Sequence, residues 1–268
     1  MVSKMKSKLL IESFFYSIED MKPSDRLYDK VWQEGSNLLK PEIRKKLLQI
    51  ALDFVKQFNL KRMEVVDITF TGSLANYNWT PTSDIDLHVI LDFKNIDENP
   101  SLAKNYFATK AKLWNLMHDI KIFNHDVEIY VQDLAEPHAS TGIYSVFRNK
   151  WNKFPMKKTP EIDVPGVRKK VDHLSDLINE VENLFYQQEY DMANDLAKKV
   201  QKKIRNYRKC GLKKVGEYSI ENLAFKLLRK NGFIDKLYDI RTKSYDKLMS
   251  LNPAKRDFAD FMRKIHAK

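Results

Sequence analysis

Asp84 and Asp86 stand two residues apart in the segment Ser83-Asp84-Ile85-Asp86-Leu87-His88. On a β-strand, residues two apart share a face. The two carboxylates therefore project together, while Ile85 and Leu87 project the other way, into a core. Carboxylates held side by side repel each other unless a cation lies between them. Hard oxygen donors of this kind suit Mg²⁺ or Mn²⁺, with coordination positions left over for water and phosphate oxygens. Glu128 sits between Val127 and Ile129 in the alternating run Asp126 to Val131. Its apolar neighbours face inward, so Glu128 faces out, and it completes a carboxylate cluster if the two strands are adjacent. Asp126 shares that face and is the rival third ligand. Apolar flanks on both sides favour Glu128. His88 shares the face of Asp84 and Asp86; a histidine satisfied by a nearby carboxylate is the preferred reading over a metal or substrate contact.

Gly72-Ser73 closes the apolar run Val65 to Phe70. A glycine there lets a phosphate approach the backbone, and Ser73 adds a hydroxyl. A short helix through Leu74, Ala75 and Asn76 would turn its first N–H groups toward that phosphate. Ser83, in the turn Thr80-Pro81-Thr82-Ser83, and Ser140 and Thr141, in the loop Glu136 to Gly142, are further candidate nucleotide contacts. Turns need such residues on their own account, and for Ser140 and Thr141 the two readings are even. Tyr77 and Trp79 could stack on a base or pack under the phosphate loop.

These residues need elements to hold them. Ile43, Leu47, Ile50, Ala51, Phe54, Val55 and Phe58 recur at helical spacing behind Pro41, a residue suited to a first helical turn. Val65 to Phe70, Asp84 to Leu91 and Asp126 to Val131 read as strands, with a helix marked by Leu102, Tyr106, Leu113, Leu116, Met117 and Ile120 between the second and third. An edge strand is expected near Ile143 to Phe147. The first 39 residues are expected to pack as helices and loops around Leu27, Tyr28, Val31 and Trp32. Composition shifts in the Pro- and Lys-rich stretch from Pro155 to Pro165, and helical stripes follow: Val167 to Phe185, Ala193 to Tyr207, Ile220 to Leu228, and one or two more through Leu237, Tyr238, Tyr245, Leu248 and Phe261. The expected fold is α+β: a small mixed sheet with flanking helices over 1–155, then an all-helical basic domain over 156–268.

The net charge is +11 and the pI about 9.4, which points to a polyanionic partner. From Pro160 onward there are 24 Lys and Arg against 16 Asp and Glu, so most of the excess lies in the helical part. Lys198, Lys199, Lys202, Lys203, Arg205, Arg208, Lys209, Lys213 and Lys214 follow one another with no acidic residue between them. A single-sign run suits a phosphate backbone slightly better than a merely solvated face; Lys198 to Lys209 are the candidate nucleic-acid contacts. Lys226, Arg229 and Lys230 could reach a triphosphate. No apolar run is long enough to cross a membrane, and Cys210 is the only cysteine, which excludes an internal disulfide and a cysteine-built zinc site. A reducing cytoplasm is the expected compartment.

Taken together, Gly72-Ser73, Asp84-Ile85-Asp86 about ten residues later and Val127-Glu128-Ile129 on a later strand resemble the DNA polymerase β-like nucleotidyltransferase superfamily. The longer runs Thr71 to Trp79 and Ser83 to His88 also look like predicted nucleotidyltransferases of large bacteriophages. The resemblance covers roughly Val65 to Val131. It implies an NTP substrate, ATP among the candidates, and two Mg²⁺ or Mn²⁺ ions held by Asp84, Asp86 and Glu128. It also implies in-line transfer of a nucleoside monophosphate to an acceptor hydroxyl with release of pyrophosphate. The basic helical domain makes RNA, such as a tRNA 3′ end, the leading acceptor. A protein side chain or a small molecule is the alternative, and an inactive nucleic-acid-binding module the contrasting class.

Overall fold

The computed structural model describes residues 22–58, 65–138 and 140–251. They form two compact units that divide between Thr159 and Pro160, slightly beyond the boundary expected from composition.

The first unit is built on a six-stranded mixed sheet. Its strands are β1 (Val65–Thr71), β2 (Ile85–Leu91), β3 (Lys121–Ile122), β4 (His125–Asp133), β5 (Ile143–Ser145) and β6 (Lys150–Lys153), in the spatial order β3-β4-β2-β1-β5-β6. Only β2 and β4 run parallel. Parallel neighbours need a crossover, supplied here by α2 (Phe93–Ile96) and α3 (Pro100–Met117). The short strands β3 and β6 were not expected from the sequence: two and four residues are too few to show a period.

One face of the sheet is apolar. Ile68 and Phe70 of β1, Ile85, Leu87, Val89 and Leu91 of β2 and Val127 and Ile129 of β4 are buried there. They share a cluster with Ile43, Leu47, Ala51 and Phe54 of α1 (Pro41–Val55) and Ala103, Phe107, Ala111 and Trp114 of α3. The helical stripe of α1 lies where its spacing predicts. Residues 22–39 form no helix; Trp32 and Leu39 make an isolated bridge, and Leu27, Val31, Trp32 and Leu39 are buried. The residues that alternate with this core, among them Thr71, Asp86, His88 and Glu128, project to the opposite face.

The second unit contains α4 (Val164–Tyr186), α5 (Tyr190–Lys214), α6 (Ile220–Lys230) and α7 (Phe233–Met249), each packed on the other three. Asp163 caps α4 by accepting from the Gly166 N–H, and Ser219 caps α6 by accepting from the Asn222 N–H. Val171, Leu174, Ile178 and Val181 face the interior with Leu223, Leu227, Leu237 and Ile240. Asn194 and Gln201 are also buried on α5, a polar addition to its expected stripe of Ala193, Ala197, Val200 and Ile204. Phe261 lies outside the described residues. No helix among the described residues is long and apolar enough to cross a membrane.

Candidate active site

The strand register brings the site together. Asp86 is paired with Thr71 of β1 on one side and with Glu128 of β4 on the other. All three lie on the face away from the helices. Asp84, just ahead of β2, and Asp86 and His88 are half-buried, alternating with the fully buried Ile85, Leu87 and Val89. Glu128 is half-buried between buried Val127 and Ile129. Asp126 is exposed and ion-paired with Lys121 of β3, so its charge already has a partner.

Gly72 joins the carboxylates to the phosphate loop. Its φ of 83° and ψ of −165° belong to a region essentially closed to residues with a Cβ. A Cβ added there would also overlap the Asp86 carboxylate oxygen and lie 2.9 Å from its Cγ. The backbone conformation thus requires glycine, and the contact shows that the Asp86 carboxylate rests against the loop backbone. Ser73 begins a single 3₁₀ turn, Ser73–Ala75.

Buried hydrogen bonds hold that turn. The Trp32 indole N–H, 2% exposed, donates to the Leu74 carbonyl at 2.7 Å. The Ser73 hydroxyl donates to Ser83 Oγ at 2.8 Å, and the Thr80 N–H donates to the same oxygen at 2.9 Å. Ser83 therefore ties the two ends of the loop that connects Gly72 to Asp84. His125 Nδ1 meets the Ser83 carbonyl at 2.6 Å. A carbonyl only accepts, so Nδ1 carries the proton. Tyr28 packs edge-on against the His125 ring at 5.0 Å.

The loop after β4 closes the far side. The Asn76 amide donates to Thr141 Oγ1, and a Cβ on Gly142 would collide with the Ala75 carbonyl. The Ser140 hydroxyl donates to the Gly142 carbonyl at 2.8 Å. Thr141 is thus brought to the phosphate loop, while the hydroxyl of Ser140 is turned into its own turn. Trp79 packs on Tyr28 at 4.7 Å and donates to the Arg26 carbonyl at 2.9 Å, which places it beneath the loop.

Tyr130, two residues beyond Glu128 on β4, donates its hydroxyl to Glu128 Oε2. Burial, that hydrogen bond and the charges of Asp86, Glu128 and Asp84 raise the tyrosine far above its ordinary range. His88 stacks on the Tyr130 ring at 5.0 Å. Burial, and then the charge of His138, lower His88 to about 4, so its imidazole is neutral at pH 7. Among the described residues no carboxylate bonds to it, contrary to the expected pairing; its side-chain hydrogen bond is with Gln132, and its Nδ1 is buried with no hydrogen-bond partner.

Asn115 of α3 fixes the strand that carries Glu128. Its amide donates to the Ile129 carbonyl at 2.9 Å and accepts from the Ile129 N–H at 2.9 Å. β3 pairs only with Asp126 and His125, so Asn115 supplies the hydrogen bonds of a missing strand. Sequence reasoning passed over Asn115, His125 and Tyr130, and it named Trp32 only as a packing residue. Only Tyr130 had a local signal, sharing the alternation of Glu128.

The donor set of Asp84, Asp86 and Glu128 has the hard-oxygen chemistry of a divalent-cation site, and its negative charge converges on Tyr130. Among the described residues, no group of three His, Cys, Asp or Glu side chains is arranged as it stands to hold an ion. Glu128 accepts from the Tyr130 hydroxyl through Oε2, which leaves Oε1 as its other donor oxygen.

In the second unit, Lys199, Lys202, Arg205 and Lys209 are exposed on α5. Lys198 pairs with Asp195 at 3.1 Å, Lys203 lies 2.8 Å from His173 Nε2, and the Arg208 guanidinium stacks 4.3 Å over Phe225. Lys226, Arg229 and Lys230 belong to α6 of the same unit.

Residues 48–138 match the model of a family described as a nucleotidyltransferase domain. The match spans α1 through the loop after β4 and includes Gly72, Ser73, Asp84, Asp86 and Glu128. No curated protein matches the chain. A solved structure described as a STING-associated CdnE c-di-GMP synthase from Capnocytophaga granulosa is 14% identical. The alignment covers 79% of this chain and 84% of that one, at a TM-score of 0.21, so the two backbones do not superpose as wholes.

Proposed function

We propose that this chain is a metal-dependent nucleotidyltransferase that moves a nucleoside monophosphate from an NTP to an acceptor hydroxyl, with RNA as the acceptor. The observation that carries the reading is the position of Asp86: level with Glu128 across a parallel strand pair, with its carboxylate against Gly72. A phosphate held over Gly72-Ser73 would lie beside the carboxylates. The match of residues 48–138 to a nucleotidyltransferase domain supports the same chemistry, and the basic run on α5 supports a polyanionic acceptor.

In this reading Asp84, Asp86 and Glu128 hold two divalent ions. When bound, the ions neutralise phosphate charge and lower the pKa of the attacking hydroxyl. The chain's own contribution is positioning and fixed dipoles. Gly72 would give the triphosphate access to the backbone of the 73–75 turn, and the Ser73 hydroxyl, which donates to Ser83 Oγ, holds that turn in place. Ser83, His125 and Trp32 hold the loop at a set distance from Asp84. Thr141, through Asn76, and Ser140, through its own turn, stiffen the loop's outer wall. The acceptor oxygen forms a bond to the α-phosphorus as the bond to the pyrophosphate oxygen breaks, and the acceptor proton leaves as pyrophosphate departs.

The test supplies Mg²⁺ or Mn²⁺, each α-labelled NTP in turn, and separate pools of total RNA and total protein, with Asp86→Ala as control. Label entering RNA only with the unmutated chain is the expected result and names the nucleotide. Label in protein would move the acceptor to a side chain. Full activity of both Asp84→Ala and Asp86→Ala would refute the assignment of the site.

A further inference from the structure

The second unit contains a groove of about 420 Å³ whose walls include Gln201, Arg205, Arg208, Lys209, Phe225 and Tyr238. That volume lies within the roughly 300–1,000 Å³ of small-molecule sites. Its lining includes three cations and no carboxylate. The Arg208 guanidinium sits 4.3 Å from the centre of the Phe225 ring, and its Nε donates to the buried Asn222 Oδ1 at 3.2 Å. A guanidinium fixed in this way is a planar surface on which an aromatic ring can stack. Gln201 is 4% exposed; its Oε1 accepts from Arg241 at 2.5 Å, while its Nε2 is buried and makes no hydrogen bond. The wall thus combines positive charge with aromatic and guanidinium surfaces.

The groove does not stand alone. Lys198, Lys202, Arg205 and Lys209 follow one another at intervals of four, three and four residues, which is one stripe of an α-helix. At 1.5 Å per residue the stripe runs for about 16 Å. Arg205 and Lys209 belong to the groove, and Lys198 and Lys202 continue beyond it. A free nucleotide would use only the groove. A stripe that continues past it fits a ligand with several phosphates in a row.

We infer that the groove seats one unstacked base of a single-stranded RNA, whose backbone follows the Lys198–Lys209 stripe. Arg208 and Tyr238 provide stacking surfaces, and the stripe carries the phosphates. This deepens the RNA-acceptor reading and rests on it only for the choice of polymer.

The test uses the full chain in EDTA, so that nucleotidyl transfer plays no part, and reads fluorescence anisotropy of a labelled RNA heptamer. The comparison ligand is an abasic ribose-phosphate strand of equal length. The expected result is at least tenfold tighter binding of the RNA than of the abasic strand. Tyr238→Leu should remove most of that preference. Arg205→Ala/Lys209→Ala should weaken both ligands and lower the slope of log affinity against log salt by roughly 1.4, at about 0.7 per phosphate contact. All three side chains are exposed, so unchanged melting temperatures will show that the fold is intact. Because EDTA removes the metal, the binding result is independent of nucleotidyl transfer, which separates a failure here from a failure of the catalytic reading. Equal affinity for the two strands, an unaltered preference in Tyr238→Leu, or a mononucleotide that binds as tightly as the heptamer would each overturn the assignment.

Discussion

Gly72→Ala separates the backbone of the phosphate loop from the carboxylate beside it. The φ and ψ of Gly72, 83° and −165°, cost a residue with a Cβ about 1–3 kcal/mol. The new methyl would also occupy the space of the Asp86 carboxylate. That carboxylate is the end of a side chain and can rotate away, so the collision adds little to the loss of stability but moves a ligand of the proposed metal site. For a unit of about this size, 1 kcal/mol corresponds to roughly 2–4 °C in Tm, so the expected fall is roughly 2–12 °C. A displacement near 1 Å in a reacting constellation costs about a hundredfold in rate, far more than partial unfolding well below Tm. The experiment combines thermal unfolding, Mn²⁺ titration and the transfer assay on Gly72→Ala, Asp86→Ala and the double variant. Backbone strain should persist in the double variant, while the loss of metal binding should not increase beyond that of Asp86→Ala alone. A Gly72→Ala protein with unchanged Tm and unchanged Mn²⁺ affinity would refute both parts of the argument.

Tyr130→Phe removes the hydroxyl that engages Glu128; a hydrogen bond to a charged group contributes about 1.5–3 kcal/mol, less when half-exposed, so Mn²⁺ should bind up to about tenfold tighter, and weaker binding by calorimetry would show that Tyr130 holds Glu128 in place instead. Asn115→Ala leaves the Ile129 N–H and carbonyl without their partners and should cost about 2 kcal/mol in urea unfolding; an unchanged midpoint would count against Asn115 as a strand substitute. His88, lowered from 6.5 to about 4 by burial and by His138, binds its proton more weakly folded than unfolded. Its neutral form therefore imposes no penalty above pH 6.5, and stability should fall as pH drops from 6.5 toward 4, by at most roughly 3 kcal/mol. His88→Phe in metal-free protein should flatten this part of the stability profile, and an unaltered slope between pH 5 and 6.5 would show that another group is responsible.

Much of the site was legible because alternation is a local property. Asp86 and Glu128 each stand between apolar residues that must be buried, Asp84 is two residues from Asp86, and a period of two decides which way each points before any neighbour is known. Gly72 was expected as a phosphate approach; what a Cβ there would meet is the carboxylate of Asp86, fourteen positions away, which no local pattern shows. The pairing of Asp126 with Lys121 depends on a two-residue strand that carries no periodic signal. His88 was expected beside a carboxylate; it stacks on Tyr130 instead, because the parallel register sets β4 side chains level with those of β2.

The sequence by itself therefore determined the types of the chemical groups, their faces on each strand, the helical stripes and the concentration of positive charge on α5. Those depend on residue identity and on the 2.0 and 3.6 periods of the backbone. The tertiary structure decided which strands became neighbours, that Glu128 meets Tyr130, that Asn115 completes an unpaired strand edge, and that Gln201 and Arg208 share one groove. Each of these is a contact between distant segments, set by how buried surfaces and backbone hydrogen bonds are satisfied together, which no local pattern encodes.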